Sequence, residues 1–232
     1  VTNSNGCTAV SAGITNTVYS LPVPSLTSSD ADRVICAGTS VTFTAGGGTS
    51  YNFRVAGTSA QSGSGNTYTT SNLLNGQVVD VIVTNANGCT AASAGISHTV
   101  NQVPTGNAGT GGNECDLNFV LKAVPSIGVG TWTKETGPGS ATFTPNSNTA
   151  TATVSVSEPG LYSFRWTEIS NNCSNSSTIS VNFYRKPVAN AGSGGNNCGP
   201  SRVLGAVPDI GTGTWTKTSG PGTVTFSPNA NT

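Results

Sequence analysis

The sequence predicts an all-β chain of small antiparallel sandwiches in tandem, and three observations carry that expectation. Apolar and polar residues alternate with period two through most of the chain, and no apolar stripe of helical period runs for three turns. Gly-rich punctuators such as Gly46-Gly47-Gly48 and Gly137-Pro138-Gly139 separate the alternating runs. The chain also repeats itself. Val1–Pro22 matches Val83–Pro104 at 15 of 22 positions, an offset of 82, and Pro104–Thr149 matches Pro187–Thr232 at 29 of 46, an offset of 83. Self-similarity at a fixed period is the signature of an array of supersecondary units.

The offsets divide the chain into four segments. Residues 1–23 read as the last strands of one repeat, 24–103 as a complete repeat of the same kind, 104–186 as a complete repeat of a second kind, and 187–232 as the first part of another copy of that second kind. In 24–103, Val41, Phe43 and Ala45 alternate with Thr42 and Thr44, and Val79, Val81 and Val83 share one face of a later strand. Asn87-Gly88 then supplies a tight turn, and Ile96, His98 and Val100 continue on the next strand. In 104–186, Ala150, Ala152, Val154 and Val156 form one face, and Ile179, Val181 and Phe183 another. About seven short strands in roughly 80 residues is the pattern of an immunoglobulin-like sandwich. The junctions Val23-Pro24, Val103-Pro104 and Lys186-Pro187 each carry a proline that stiffens a short linker. The expectation is sandwiches set end to end as a rod on the order of 100 Å or longer.

Composition narrows the function classes. Charged residues are 8% of the chain and the net charge is zero, against about 25% charged in ordinary globular proteins. No electrostatic footprint for nucleic acid exists, and Arg185-Lys186, the one adjacent basic pair, reads as a solvated linker. No apolar run approaches the roughly 18 residues that would predict membrane insertion.

The six cysteines pair off by the repeat: Cys7 with Cys89 and Cys115 with Cys198 as equivalent positions. Fifteen pairings are possible in principle. The most economical scheme places disulfides within each complete repeat, Cys36–Cys89 and Cys115–Cys173, and leaves Cys7 and Cys198 unpaired within this stretch. Loops of about 55 residues would each restrict the unfolded chain by roughly 4 kcal/mol in the entropy model. Zinc is the competing use of cysteine, but no two cysteines stand at ligand spacing and the chain has a single histidine. Disulfides imply an oxidising, extracytoplasmic location.

Little else points to chemistry, and the expectation is no enzyme, no cofactor and no metal. Asp30 and Asp32, in Ser28-Ser29-Asp30-Ala31-Asp32-Arg33, are conceivable calcium ligands, but a calcium loop gathers more oxygens at set spacings, and a solvated turn fits better. Glu114 beside Cys115 is replaced by Asn197 in the repeated copy, and His98 by Asn16, so neither role recurs in every copy. A serine nucleophile needs a histidine and an orienting acid in each repeat, and neither G-x-S-x-G nor a P-loop occurs. Tyr162, Phe164 and Trp166 share one face of a strand, with Trp132 on another. Facing outward they would form a glycan platform; facing inward they form the core, the reading favoured because Trp132 recurs as Trp215.

Two sets of motifs carry a resemblance to a known family. Cys36-Ala37-Gly38-Thr39-Ser40-Val41-Thr42-Phe43, with Val83-Thr84-Asn85-Ala86-Asn87-Gly88-Cys89, resembles the Ig-like repeats of giant cell-surface proteins of Bacteroidota. Asn107-Ala108-Gly109, Gly130-Thr131-Trp132-Thr133, Gly137-Pro138-Gly139 and Tyr162-Ser163-Phe164-Arg165-Trp166-Thr167 are similar to their PKD-like repeats. Long adhesins of that group, including gliding-motility adhesins exported by type IX secretion, mix both kinds. The resemblance implies stalk repeats of a secreted surface filament attached at the outer membrane, whose partners are the neighbouring repeats of the same chain and surface polysaccharide. Two alternatives stay open at this point: an array of glycan-binding modules, and accessory repeats of a secreted polysaccharide-degrading enzyme.

Overall fold

A computed structural model describes residues 1–231, and its backbone is all-β: strands and turns, with no helix among the described residues. The strands fall in two compact units. One comprises Val1–Pro104 together with Ile169–Ser174; the other comprises Thr105–Glu168 and the chain from Asn175 onward.

In the first unit the strands are β1 (Ser25–Ser28), β2 (Val34–Cys36), β3 (Val41–Gly46), β4 (Ser50–Val55), β5 (Thr58–Gly63), β6 (Thr67–Thr70), β7 (Val78–Thr84), β8 (Thr90–Ala92), β9 (Ile96–Ser97) and β10 (Thr99–Asn101). One sheet has the order β1-β3-β6; the other runs β5-β4-β7-β8, with β9 also on β7. The pleat turns Val41, Phe43 and Ala45 of β3 inward, and Tyr51, Phe53, Val79, Val81 and Val83 of the opposite sheet meet them in one buried cluster. One pairing is parallel: β2 lies beside the last strand, β10, with Cys36 opposite Asn101.

The second sandwich is built of β11 (Gly112–Glu114), β12 (Asn118–Val120), β13 (Val129–Thr136), β14 (Ala141–Thr144), β15 (Thr153–Val156), β16 (Gly160–Ser170) and β17 (Cys173–Phe183). Its sheets have the orders β11-β17-β16-β13 and β12-β15-β14. An early strand again runs parallel to the last one, β11 beside β17, with Glu114 opposite Phe183. The tip joining β16 to β17 turns through Asn171 and Asn172, both at positive φ, and belongs to the first compact unit.

The aromatic stripe lies inside. Trp132, Tyr162, Phe164 and Trp166 are buried in one cluster with Val154, Val181 and Phe183. Ring centroids are 5.2 Å apart for Trp132–Trp166 and 5.4 Å for Tyr162–Phe183. These rings supply most of the buried side-chain volume and are closed to a sugar.

Among the described residues the flanking segments carry no strands. Val1–Pro22 forms one bridge, Thr2 with Thr8, and its apolar residues are largely exposed. In the matching copy the same sequence forms β8, β9 and β10 by pairing with β7 and β2; no such partners flank Val1–Pro22 among the described residues. The segment from Pro187 likewise holds a single bridge, Thr214 with Asn231, and its final residue, Thr232, lies outside the described residues.

One close approach tests the core. A Cβ on Gly130 would stand 1.8 Å from a ring carbon of Trp166, whereas one on Gly112 would make ordinary contact with Phe119 at 3.8 Å. Gly130→Ala should therefore destabilise the second unit by about 1–3 kcal/mol or more through overpacking. Gly112→Ala should change stability by less than about 1 kcal/mol. Denaturant unfolding followed by tryptophan fluorescence compares the two, and equal effects would contradict the packing described.

Candidate functional site

Cys36, Cys89, Cys115 and Cys173 sit at or just beyond strand ends, and that position decides their pairing. Cys36 closes β2 beside Asn101, the last residue of β10. Strand β10 follows β9, whose Ser97 is opposite Val78 at the start of β7, and Val100 N–H donates to Asn75 just before it. Cys89 lies beyond the other end of β7, in the turn where Asn85 N–H donates to its carbonyl. Seven residues of strand span roughly 20 Å, while a disulfide needs Cα atoms within about 7 Å. The expected Cys36–Cys89 bond is therefore corrected. The same argument overturns Cys115–Cys173, since Cys173 opens β17 and Cys115 follows Glu114, which faces the far end of β17 at Phe183.

The bond that forms is Cys36–Cys173, with Cα atoms 5.6 Å apart and 137 residues of sequence separation. Cys7, Cys89, Cys115 and Cys198 are free. The bonded hairpin tip is also held by Asn101, whose side-chain N–H donates to the Asn171 carbonyl at 3.3 Å. A disulfide in the fold suits an oxidising compartment.

Of the acidic and histidine candidates, Asp30 and His98 come together, while Asp32 is engaged in a turn of its own. Asp32 accepts the Val34 N–H at 3.0 Å and so closes its own turn, away from Asp30. Asp30 instead approaches His98, with Oδ2 3.6 Å from Nε2. Ser28 Oγ is 3.0 Å from the same Nε2. His98 is 2% exposed and stands edge-on to Phe43 at 5.6 Å. A Ser–His–Asp relay places serine and carboxylate on opposite ring nitrogens. Here both approach Nε2, while Nδ1 is buried without a hydrogen-bond partner among the described residues. The trio is packing with a polar edge, and its geometry does not move a proton from serine to histidine to acid.

One ionisable group carries a full set of partners. Glu168 is 1% exposed. Its carboxylate accepts Trp166 Nε1–H at 2.8 Å, Ser126 Oγ–H at 2.6 Å and the Ser126 backbone N–H at 3.0 Å. Burial pushes this carboxyl upward, but donation from the Ser126 and Trp166 side chains and from the Ser126 and Ile127 backbones outweighs it, and the pKa lies below its usual value. The chemistry is that of a lock holding the loop before β13 onto β16. Glu168 continues the parity of Tyr162, Phe164 and Trp166, so the alternation itself puts it on the inner face.

An open apolar groove between Pro187 and Trp215 is lined by Val188, Val207 and Ile210. Local bonding there copies the complete repeat: Val207 N–H to Asn190 O mirrors Val124 N–H to Asn107 O, and Trp215 N–H to Ala230 O mirrors Trp132 N–H to Ser147 O. By the offset of 83 the groove corresponds to the place that Trp166 and Glu168 fill in the second sandwich.

No family model and no curated protein matches this chain. Among solved structures it is similar to the fibronectin(III)-like modules of Clostridium thermocellum CbhA, at 11% identity over 70% of this chain and 95% of that one, with a TM-score of 0.34. It is also similar to the I67–I69 fragment of the titin I-band, at 14% identity, 73% and 68% coverage and a TM-score of 0.36. The three N-terminal domains of the bacteriophage RB49 outer capsid protein Hoc give 14%, 70%, 59% and 0.33. At these scores the likeness carries no argument of its own, and the fold stands on its strand pairing.

Cys36→Ser should lower the unfolding free energy, by up to roughly 5 kcal/mol in the entropy model for a loop of this length, while Cys89→Ser should leave it nearly unchanged. Chemical denaturation of both variants decides, and a larger loss for Cys89→Ser would restore the within-repeat pairing. For Glu168, a depressed folded pKa means its stabilisation is complete above the usual value of 4.5 and is lost as pH falls below it through the lower folded value. Glu168→Gln should flatten that acid limb and also destabilise at neutral pH, by about 1–3 kcal/mol, because one buried donor loses its acceptor. Melting curves between pH 2 and pH 7 would show it; an unchanged acid limb would refute the assignment.

Proposed function

We propose that these residues are structural stalk repeats of a long secreted surface filament, an adhesin of the Bacteroidota kind with Ig-like and PKD-like repeats, holding a distal binding region away from the cell. The observation that carries the reading is a pair of sandwiches, each with its own aromatic core, whose sequence repeats on either side and whose 137-residue disulfide loop is a covalent restraint rather than a reactive centre. The repeat boundaries we assign are 24–103 and 104–186. Charge is sparse and balanced, and Ser, Thr and Asn clothe the surface, which favours solubility without a strong electrostatic partner. Burial of Tyr162, Phe164 and Trp166 removes the sequence feature that favoured a glycan platform.

A stalk carries tension, and the disulfide then acts as a bypass. Pulled from its termini, the oxidised chain transmits force directly from Cys36 to Cys173, and the loop between them, closed at a sequence separation of 137, stays out of the extended length. Full extension should be shorter by about 450–490 Å than that of the reduced chain. Single-molecule stretching with and without reductant measures the difference; equal lengths would contradict the bypass. For the stalk role itself, deleting one 24–186 pair from the parent protein should leave ligand binding by the distal region intact. Loss of that binding would reassign the repeats as binding modules.

A further inference from the structure

We propose that Cys89 and Cys115 are each one half of a disulfide to an adjoining repeat, made by the same rule as Cys36–Cys173. The inference rests on the repeat division given above and goes beyond the stalk role.

The cysteines fall in two positional classes. Cys36 and Cys115 are strand-end cysteines. Each stands at the end of a short strand lying parallel to the last strand of its sandwich: Cys36 opposite Asn101, and Cys115 directly after Glu114, which pairs with Phe183 and accepts the Tyr184 N–H at 2.8 Å. Cys89 and Cys173 are hairpin-tip cysteines: Cys89 lies between β7 and β8, and Cys173 opens β17 directly after its turn from β16. Cys198 is the sequence counterpart of Cys115, and Cys7 of Cys89. The turn at Cys7 is formed by the same bonds as that at Cys89, with Asn3 N–H to Cys7 O at 2.9 Å matching Asn85 N–H to Cys89 O at 3.0 Å.

The one bond present joins the strand-end cysteine of repeat 24–103 to the hairpin-tip cysteine of the repeat that follows it in the chain. Its tip rests on the end of the preceding repeat's last strand, through Asn101 to Asn171. The Cys89 tip also meets the preceding segment, through a hydrogen bond of the opposite direction. Asn85 Nδ2 donates to the Ser20 carbonyl at 2.9 Å, and Ser20 corresponds by the offset of 82 to Gln102, the residue after Asn101. So Cys89 already occupies the tip position against residues equivalent to those beside Cys36. The thiol it calls for is a strand-end cysteine next to Tyr19–Ser20. Cys115 correspondingly calls for a hairpin-tip cysteine on the repeat that opens at Pro187. Cys89 is half-buried and Cys115 exposed, so both can be reached. One rule then accounts for all six cysteines: strand end of one repeat to hairpin tip of the next. Each bond forms from two thiols, which lose two protons and two electrons to a disulfide-bonded oxidant that leaves as its dithiol.

The test is non-reducing peptide mapping of the native protein, with free thiols blocked by alkylation before digestion. The expected result is the Cys89 peptide joined to a strand-end peptide, the Cys115 peptide joined to a hairpin-tip peptide, and Cys36 joined to Cys173. Alkylated Cys89 and Cys115, a Cys89–Cys115 bond, two cysteines of one class joined, or a bond within one repeat would each overturn the rule. Disulfide-linked multimers on non-reducing gels would do the same. As a second measurement, Cys115→Ser should free one hairpin-tip thiol for alkylation and leave Cys36–Cys173 intact; no newly labelled thiol would overturn it. Alkylated Cys89 with Cys36–Cys173 intact sinks this rule and leaves the stalk reading standing, whereas loss of distal binding on repeat deletion sinks only the latter.

Discussion

A strand advances about 3.3 Å per residue, so β17, from Cys173 to Phe183, separates its two ends by more than 30 Å. That length governs the covalent chemistry. In each sandwich one cysteine lies at the end where the last strand leaves and the other lies at the opposite hairpin tip. No bond within a repeat can span such a distance, so a cysteine either stays free or finds a partner beyond its own repeat. The pairing of Cys36 with Cys173 is what that constraint permits.

The two sandwiches solve the same packing problem with different side chains. In the first, β-branched residues of β7 meet Phe43 and Phe53, and a buried histidine closes one edge against Phe43 and Ser28. The second relies on a tighter aromatic set. Trp132 packs on Trp166, and Gly130 is needed because the Trp166 ring occupies the space its Cβ would take. The indole N–H of Trp166 would be an orphan donor at that depth, and Glu168 accepts it while also fixing Ser126. Core and loop are thus joined through one carboxylate.

Much of this was legible in the sequence, because strand parity is a local property. Val41, Phe43 and Ala45, or Tyr162, Phe164 and Trp166, announce an inner face without reference to anything distant. Glu168 is legible by the same parity, which puts it on the inner face with Trp166. The disulfide pairing was not legible. Repeat arithmetic says which cysteines are equivalent, but equivalence is silent on which end of a strand each occupies. That depends on register, set here by the parallel pairing of β2 with β10 and β11 with β17. Nor could sequence tell that Asp30 turns toward His98 while Asp32 closes a turn.

The flanking segments separate what a repeat encodes locally from what it needs other strands to complete. The Asn3–Cys7 turn forms in residues 1–23 with the bonds of its copy at Asn85–Cys89, and the Asn190–Val207 and Trp215–Ala230 bonds form as at Asn107–Val124 and Trp132–Ser147. Turns and short-range backbone pairs are therefore specified within a few tens of residues. The ladders and the core are not. Trp215 stays half-buried where Trp132 is 1% exposed, because the rings that cover Trp132 come from β16. Turn formation with few residues to order costs little entropy, whereas the aromatic core returns its free energy only when both sheets are present. In the second sandwich, accordingly, turns are specified by nearby residues, whereas the burial of Trp132 waits for β16 to pair with β13 and bring Trp166 against it.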